Sequence, residues 1–336
     1  MTDLIGIDLG GTKCSVILGG TRSIESTMGT SQTMNEYYIT EKNIFPTPRN
    51  DPSETIKLLS RAVKDLLSKH NLSIEQIKAA GLCCGGPLDI ENGVVLSPPN
   101  LPGWDNIHVV DLFEQKIGIR PALENDANAC ALAEWKWGAA RGMKNFIFLT
   151  FGTGMGAGLI LNGALYRGAC DMAGEIGHIR LEETGPVGYG KAGSFEGFCS
   201  GGGIAQLAKI KALEYLQMGH QVSYCPSISF INDISAKIVG EFADAGDQDA
   251  QEVFNISGFY LGKGLSIIID ILNPEAIIIG SIFTRHKKLL LSAAMDVIKK
   301  EALAISAKSC RILQAGLGEQ VGDAAALGVA AYSLEN

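Results

Sequence analysis

The chain has 336 residues, and at ~150 residues per domain that length predicts two domains. Hydrophobic residues make up 46% and charged residues 19%, which is the makeup of a folded globular protein and excludes a disordered or fibrous one. Lys and Arg number 28 against 36 Asp and Glu, a net charge of −8, and the pairs Lys287-Lys288 and Lys299-Lys300 are isolated. A nucleic-acid binder carries a basic face, so no nucleic-acid partner is expected.

Asp3 precedes the first apolar run, with no basic start and no A-x-A-like site, so no signal peptide is expected. The most apolar stretches, 267–272 and 276–279, are separated by Pro274-Glu275. Neither approaches the ~20 residues that span a bilayer, so a cytoplasmic chain with no membrane partner is expected. The eight cysteines contain no C-x-x-C pair and mostly sit in apolar surroundings, which reads as buried, reduced thiols.

In chain order, residues 4–18 read as strand, glycine turn and strand, hinged on Gly10-Gly11. Residues 55–69 are an amphipathic helix, 79–84 a short strand ending in Gly85-Gly86-Pro87, and 109–117 a helix closed by Gly118. Residues 120–123 form a strand that feeds Glu124-Asn125-Asp126, and 127–137 an Ala-rich helix. Residues 145–151 and 158–161 flank a second glycine turn, a weak internal duplication of the first. Helical patterns follow at 204–218, 234–242 and 250–272, with an irregular connector at 219–229. A strand at 276–279 and a terminal helix at 324–334 complete the pattern.

Four motifs carry chemistry. Asp8-Leu9-Gly10-Gly11-Thr12-Lys13 is either a plain hairpin turn or a phosphate cradle, with Asp8 available to water-bound Mg²⁺. It is not a P-loop. The alternating glycines of 152–158 weaken a strand by ~0.5–1 kcal/mol each, more than a simple turn warrants, and fit backbone pressed against a polyanion. Their spacing is not that of the dinucleotide fingerprint. Glu124-Asn125-Asp126-Ala127-Asn128 serves as a helix cap or places a carboxylate to take a proton from a hydroxyl. Gly174-Glu175-Ile176-Gly177-His178 suits a hydroxyl-rich ligand, although a lone His is commonly structural. The loop 187–196, with Glu196, has no signal of its own.

In combination these blocks resemble the repressor–open-reading-frame–kinase (ROK) family of sugar kinases over nearly the whole chain. The resemblance rests on DLGGTK at Asp8, GGPLD at Gly85, SPPNLPGW at 97–104, ENDANA at Glu124, GTGMGAG through GEIGH at 152–178, and LNPEAIIIG at Leu272. It implies an α/β fold of the actin-like ATPase (ribonuclease H-like) kind, with two domains, mixed five-stranded sheets flanked by helices, and an active site in the interdomain cleft. The expected domains are 1–118 plus 322–336, and 119–321.

The resemblance further implies ATP-dependent phosphorylation of a hexose, glucose first, at its 6-hydroxyl. N-acetylmannosamine or N-acetylglucosamine is the alternative substrate. Asp126 would be the catalytic base. Gly86, Asn100, Asn125, Glu175, His178 and Glu196 would line the sugar. Gly10, Gly11, Thr12, Lys13, Gly152, Thr153 and Gly154 would surround the ATP phosphates, Gly280 would border the adenosine, and Asp8 would serve Mg²⁺. A homodimer is implied as well.

Two departures stand out. Many family members hold structural zinc with a His and three Cys, but here Val187, Tyr189 and Ser194 occupy the cysteine positions and leave only His178. No zinc is expected, and the loop would be held by packing, with Tyr189 and Phe195 buried. Gly280-Ser281 stands where the family often has a glycine pair. The other function classes are a non-catalytic sugar sensor and a transcriptional regulator. The regulator would carry a DNA-binding domain ahead of the Asp8 motif, for which residues 1–7 leave no room.

Overall fold

The computed structural model describes residues 1–25, 33–48 and 50–335. β1 (Thr2–Leu9), β2 (Lys13–Glu25) and β3 (Thr33–Pro46) form an antiparallel meander. Leu9 pairs with Cys14, so residues 10–12 make the turn. α1 (Pro52–Lys69) starts three residues earlier than its apolar periodicity, because Asp51 caps it by accepting from the Glu54 N–H at 2.9 Å. β4 (Ala79–Cys84) runs parallel to β1 with every residue buried. A short ribbon, β5 (Leu88–Asp89) and β6 (Val94–Val95), precedes α2 (Val109–Ile117), which ends at Gly118 with φ of 82°. β7 (Pro121–Asn125) pairs with β4 and passes without a loop into α3 (Asp126–Trp137).

β8 (Phe146–Phe151), β9 (Met155–Leu161) and β10 (Ala164–Tyr166) follow. β9 starts inside the glycine run, three residues before the expected strand. Next come β11 (Val187–Gly188), β12 (Lys191–Ala192), α4 (Phe195–Phe198), α5 (Gly201–Gln217), α6 (Ala236–Asp244) and α7 (Gln248–Leu272). β13 (Ala276–Ile279), α8 (Ile282–Glu301), α9 (Ala304–Ser309), β14 (Arg311–Gln314) and α10 (Val321–Ser333) close the chain. β3, α8, α9 and β14 fall in stretches to which the sequence analysis assigns no element.

The two five-stranded sheets are ordered β3-β2-β1-β4-β7 and β10-β9-β8-β13-β14. In both, a meander of the first three strands is extended by two parallel strands, so the weak duplication between the glycine turns is a duplication of sheet topology. By packing, the chain forms two compact units: Met1–Met143 with Gly158–Ala173 and Glu319–Asn336, and Lys144–Ala157 with Gly174–Gly318. These boundaries differ from those expected at 118 and 322. β7 and α3 pack with the first unit, because β7 bonds along β4 and α10 lies against α3.

α10 is rich in small residues and settles directly onto β1 and β4. A Cβ on Gly81 would lie 2.2 Å from the Ala326 carbonyl oxygen and 2.6 Å from the Ala330 nitrogen. In the second unit α7, 25 residues long, is apolar enough by length and composition to cross a membrane. It packs instead among α4, α5, α6 and α8, and its polar residues find partners, such as Lys263 with Glu182 at 2.5 Å. Gly81→Ala is expected to destabilise the protein by roughly 1–3 kcal/mol, the range for overpacking a close contact. Urea denaturation checks this, and an unchanged midpoint would mean that α10 is free to move away from β4.

Candidate active site

In the first unit Asp8 lies near the end of β1, between Ser15 on β2 and Cys83 on β4. It is half-buried, and its carboxyl is pushed up to about 6, first by burial and then by the negative charge of Asp126; Lys42 and Lys13 oppose the shift and Asp323 adds to it. Lys42 is itself paired with Asp323. The Gly10–Thr12 turn is pinned by Thr47, whose hydroxyl donates to the Gly10 carbonyl at 2.6 Å. Thr12 and Lys13 are exposed.

The same unit holds Gly86, Asn100, Asn125 and Asp126 of the residues expected at the sugar. A Cβ on Gly11 would lie 2.2 Å from the Asn100 carbonyl oxygen, one on Gly85 3.3 Å from Asn100 Nδ2, and one on Gly86 3.3 Å from Asn125 Nδ2. Asn125 caps α3 with its Oδ1, which accepts from the Ala127 N–H at 2.9 Å. The capping and functional readings are therefore compatible, because the cap uses Oδ1 and Nδ2 faces Gly86. Asp126 follows as the first residue of α3 and is open to solvent. The protein around it still desolvates its carboxyl and raises it from the ordinary aspartate value, although backbone N–H groups of Ala127 and Asp126 itself oppose the shift. Behind the corner, the buried Glu124 is paired with Arg167, which the sequence analysis does not single out.

In the second unit Gly152 and Gly154 close the turn, the Gly152 N–H donating to the Gly154 carbonyl at 3.0 Å. Glu196 braces that turn: its Oε2 accepts from the Met155 N–H at 2.9 Å and lies 2.7 Å from where a Cβ on Gly154 would stand. Glu175 and His178 are exposed on a single 3-10 turn. That turn rests on Glu196, since a Cβ on Gly177 would lie 3.2 Å from the Glu196 Cβ. Glu175, His178, Glu196 and the glycine turn are thus one local assembly.

The expectation that Tyr189 is buried is corrected. Phe195 is fully buried, but Tyr189 is 69% exposed at a positive φ of 45°, its ring edge-on to His178 with centroids 6.2 Å apart. The reason is its place in the two-residue turn Tyr189-Gly190, where Gly188 pairs with Lys191 and both turn residues have positive φ, so the side chain stands at the hairpin tip. The donor set does not fit zinc: Val187 offers no ligand, and the Ser194 hydroxyl caps α4 through the Gly197 N–H at 3.1 Å. Other contacts hold the loop, with Arg180 donating to the Ala192 carbonyl at 2.8 Å and Lys191 to the His178 carbonyl at 2.7 Å.

A cavity of about 760 Å³ in this unit is lined by Gly152, Thr153, Gly201, Gly202, Ser235, Ala236, Lys237, Ser281, Ile282, Arg285 and His286, among others. It is where three helices begin: α5 at Gly201, α6 after its cap Ser235, and α8 after Ser281. Helix N-termini offer unpaired N–H groups and a partial positive charge, so the cavity suits a polyanion. Gly280 is buried beside Phe148, directly before Ser281. The expected phosphate ligands are therefore divided, with Gly10–Lys13 in the first unit and Gly152 and Thr153 here. Ser235, Lys237, Arg285 and His286 went unread. Ser235 alone carried a signal, as a serine before a helical pattern.

Two stability predictions follow from this geometry. Ser281 adopts φ 58° and ψ −119°, a region that favours glycine. Ser281→Gly is expected to stabilise the fold by ~1–2 kcal/mol, read as a higher thermal midpoint. Asp8 binds its proton more tightly in the folded protein than in the unfolded chain, so the fold loses stability as pH rises from about 4 to about 6. Asp8→Asn is therefore expected to exceed wild type by on the order of 1–3 kcal/mol above pH 6 in magnesium-free buffer. The advantage should vanish near pH 4, and equal stabilities at pH 7.5 would refute it.

The chain matches the ROK family profile over residues 4–335. It is 30% identical over 321 residues to a glucokinase of Halalkalibacterium halodurans, covering 95% of this chain and 92% of that one. It is also 27% identical over 288 residues to the xylose repressor of Bacillus spizizenii, covering 85% of this chain and 69% of the repressor. Its fold superimposes with a TM-score of 0.75 on a ROK family glucokinase from Streptomyces griseus, solved with glucose and AMPPNP, at 26% identity over 99% of this chain and 100% of that one. The architecture is the α/β, actin-like ATPase fold of ROK sugar kinases, and the chain belongs to the ROK family.

Proposed function

We propose that this protein is an ATP-dependent sugar kinase that phosphorylates the 6-hydroxyl of a hexose, with glucose as the first choice and N-acetylmannosamine or N-acetylglucosamine as the alternative. The observation that carries this reading is Asp126, a solvent-accessible carboxylate at the start of α3 whose proton affinity is raised. A carboxylate so tuned takes a proton from a hydroxyl more readily than an ordinary aspartate does. Similarity to the two glucokinases supports the reading.

In the proposed reaction Asp126 accepts the hydroxyl proton as the sugar oxygen bonds to the γ-phosphorus, and the bond to the departing ADP oxygen breaks. Asn125, with Nδ2 toward Gly86, holds the neighbouring hydroxyl, and Asn100 lines the same pocket. Glu175 and His178 hold hydroxyls from their shared turn. The Glu196 Oε2 bond to the Met155 N–H gives Glu196 a second task, fixing the glycine turn. The helix starts around the 760 Å³ cavity receive the nucleotide phosphates.

A magnesium ion fits the oxygen donor and excess negative charge at Asp8, held through water. Among the described residues no cluster of three or more His, Cys, Asp or Glu offers a cage for a bare ion. When bound, the ion would neutralise phosphate charge. The setting we infer is a cytoplasmic homodimer.

The xylose-repressor relative keeps one second reading open, a sugar-responsive regulator. A coupled ADP-release assay with Mg-ATP across hexoses and N-acetylhexosamines, with and without a zinc-selective chelator, separates the two. One strongly preferred sugar and chelator-resistant turnover are expected. Sugar binding without turnover would move the protein to the regulator reading. Asp126→Ala is expected to cut kcat by at least ~10²-fold with ATP binding little changed, and a fully active variant would remove Asp126 from the role of base.

A further inference from the structure

We propose that Arg167 is a positioning residue for the corner that carries Asn125 and Asp126, acting through Glu124. Glu124 is 1% exposed and uses both carboxylate oxygens. Oε1 accepts from the Asn125 N–H at 3.0 Å and from Asn128 Nδ2 at 2.9 Å. Oε2 accepts from Arg167 Nε at 2.9 Å and forms an ion pair with Arg167 Nη2 at 2.7 Å. The carboxylate thus grips the backbone at the strand-to-helix junction on one side and is held by a guanidinium fork on the other. Because β7 ends at Asn125 and α3 starts at Asp126, no loop absorbs error at this junction. A small rotation of Glu124 moves Asn125 Nδ2 and the Asp126 carboxylate together.

Arg167 is itself fixed by its segment. Its carbonyl accepts from the Ala173 N–H at 2.9 Å, and Asp171 Oδ2 accepts from the Ile90 N–H at 2.9 Å. The elements do not need the pair in order to form: α3 is capped by Asn125, and β7 is held along β4. Buried ion pairs contribute little net stability compared with apolar replacements. Two donors of one planar guanidinium on Oε2 do confer orientation, which lysine cannot reproduce with a single ammonium. What the pair contributes is therefore the direction of the corner.

The kinetic part of this inference rests on Asp126 as base and Asn125 as hydroxyl ligand. Four full-length variants test it: Arg167→Met, Arg167→Lys, Glu124→Gln, and the double variant Glu124→Gln with Arg167→Met. The double variant leaves no unpaired charge and is expected to regain wild-type thermal stability. It should still show a kcat lowered about ten- to a hundredfold and a raised KM for sugar, as misplacement of reacting groups produces, with KM for ATP unchanged. Arg167→Lys should fall between wild type and Arg167→Met. Hydrogen exchange provides a readout independent of turnover: the amides of 124–128 should exchange faster in the double variant while the rest of α3 stays protected. A double variant with wild-type kinetics and wild-type exchange would reduce the pair to a structural contact and overturn the proposal. Were the wild type to phosphorylate no sugar, the kinase reading would fall, and the exchange rates would still decide whether Arg167 fixes the corner.

Discussion

The close seating of α10 on β1 and β4 is the constraint on which the first unit depends. Gly6 and Gly81 have no room for a side chain there, since a Cβ on either would come within 3 Å of Ala326. The same helix lies against α3. One element therefore sets the depth of β1, which ends beside Asp8, of β4, which delivers Gly85 and Gly86, and of α3, which begins at Asp126. Groups far apart in sequence reach one region because a helix of small residues lets three backbones approach it. Little of this arises from the site residues themselves.

That convergence has an electrostatic consequence. Asp8 is brought into surroundings where burial and the charges of Asp126 and Asp323 outweigh Lys42 and Lys13. A site short of positive charge costs stability and favours a cation. The second unit has the opposite character, for three helices start around one cavity and bring the positive ends of their dipoles to it. Each unit thus has its own local charge character, negative around Asp8 in the first and positive at the helix starts of the second. The acidic net charge of the chain conceals this local complementarity, which lies in backbone direction and burial rather than in residue counts.

Motifs written in consecutive residues were legible in the sequence. Gly10-Gly11, the 152–158 run, Asn125-Asp126 and the Gly118 stop all carry their geometry in a few positions. The long edge strand β3 was not legible, because its polar residues hide the alternation. Nor was α8, whose helical pattern is broken by a kink at His286. The compact units divide the chain elsewhere than at 118 and 322 because β7 and α3 join the first unit through β4 and α10, contacts that no local window contains. Tyr189 departs from expectation because an aromatic residue in a glycine loop reads as a plug, but it stands in the two-residue turn between β11 and β12, with its ring beside His178. Ser281, one of the two departures from the family's pattern, stands where the backbone favours glycine.

Kinase and repressor relatives overlap most of this chain, so the fold alone does not separate transfer from sensing. The distinction lies in what each task requires of its residues. Sensing a sugar needs hydroxyl ligands, the part proposed for Asn125, Glu175 and His178, and such ligands can be neutral or already ionised. It does not need a carboxylate whose ionisation the protein opposes. Asp126 is such a carboxylate, and it adjoins a corner that spends a buried Glu124 and a guanidinium on holding direction. Direction at a proton acceptor matters far more for moving a proton than for recognising a hydroxyl, since transfer is sensitive to sub-ångström placement and binding is not. The arrangement at residues 124–126 is therefore what the proposed kinase reading asks of these residues.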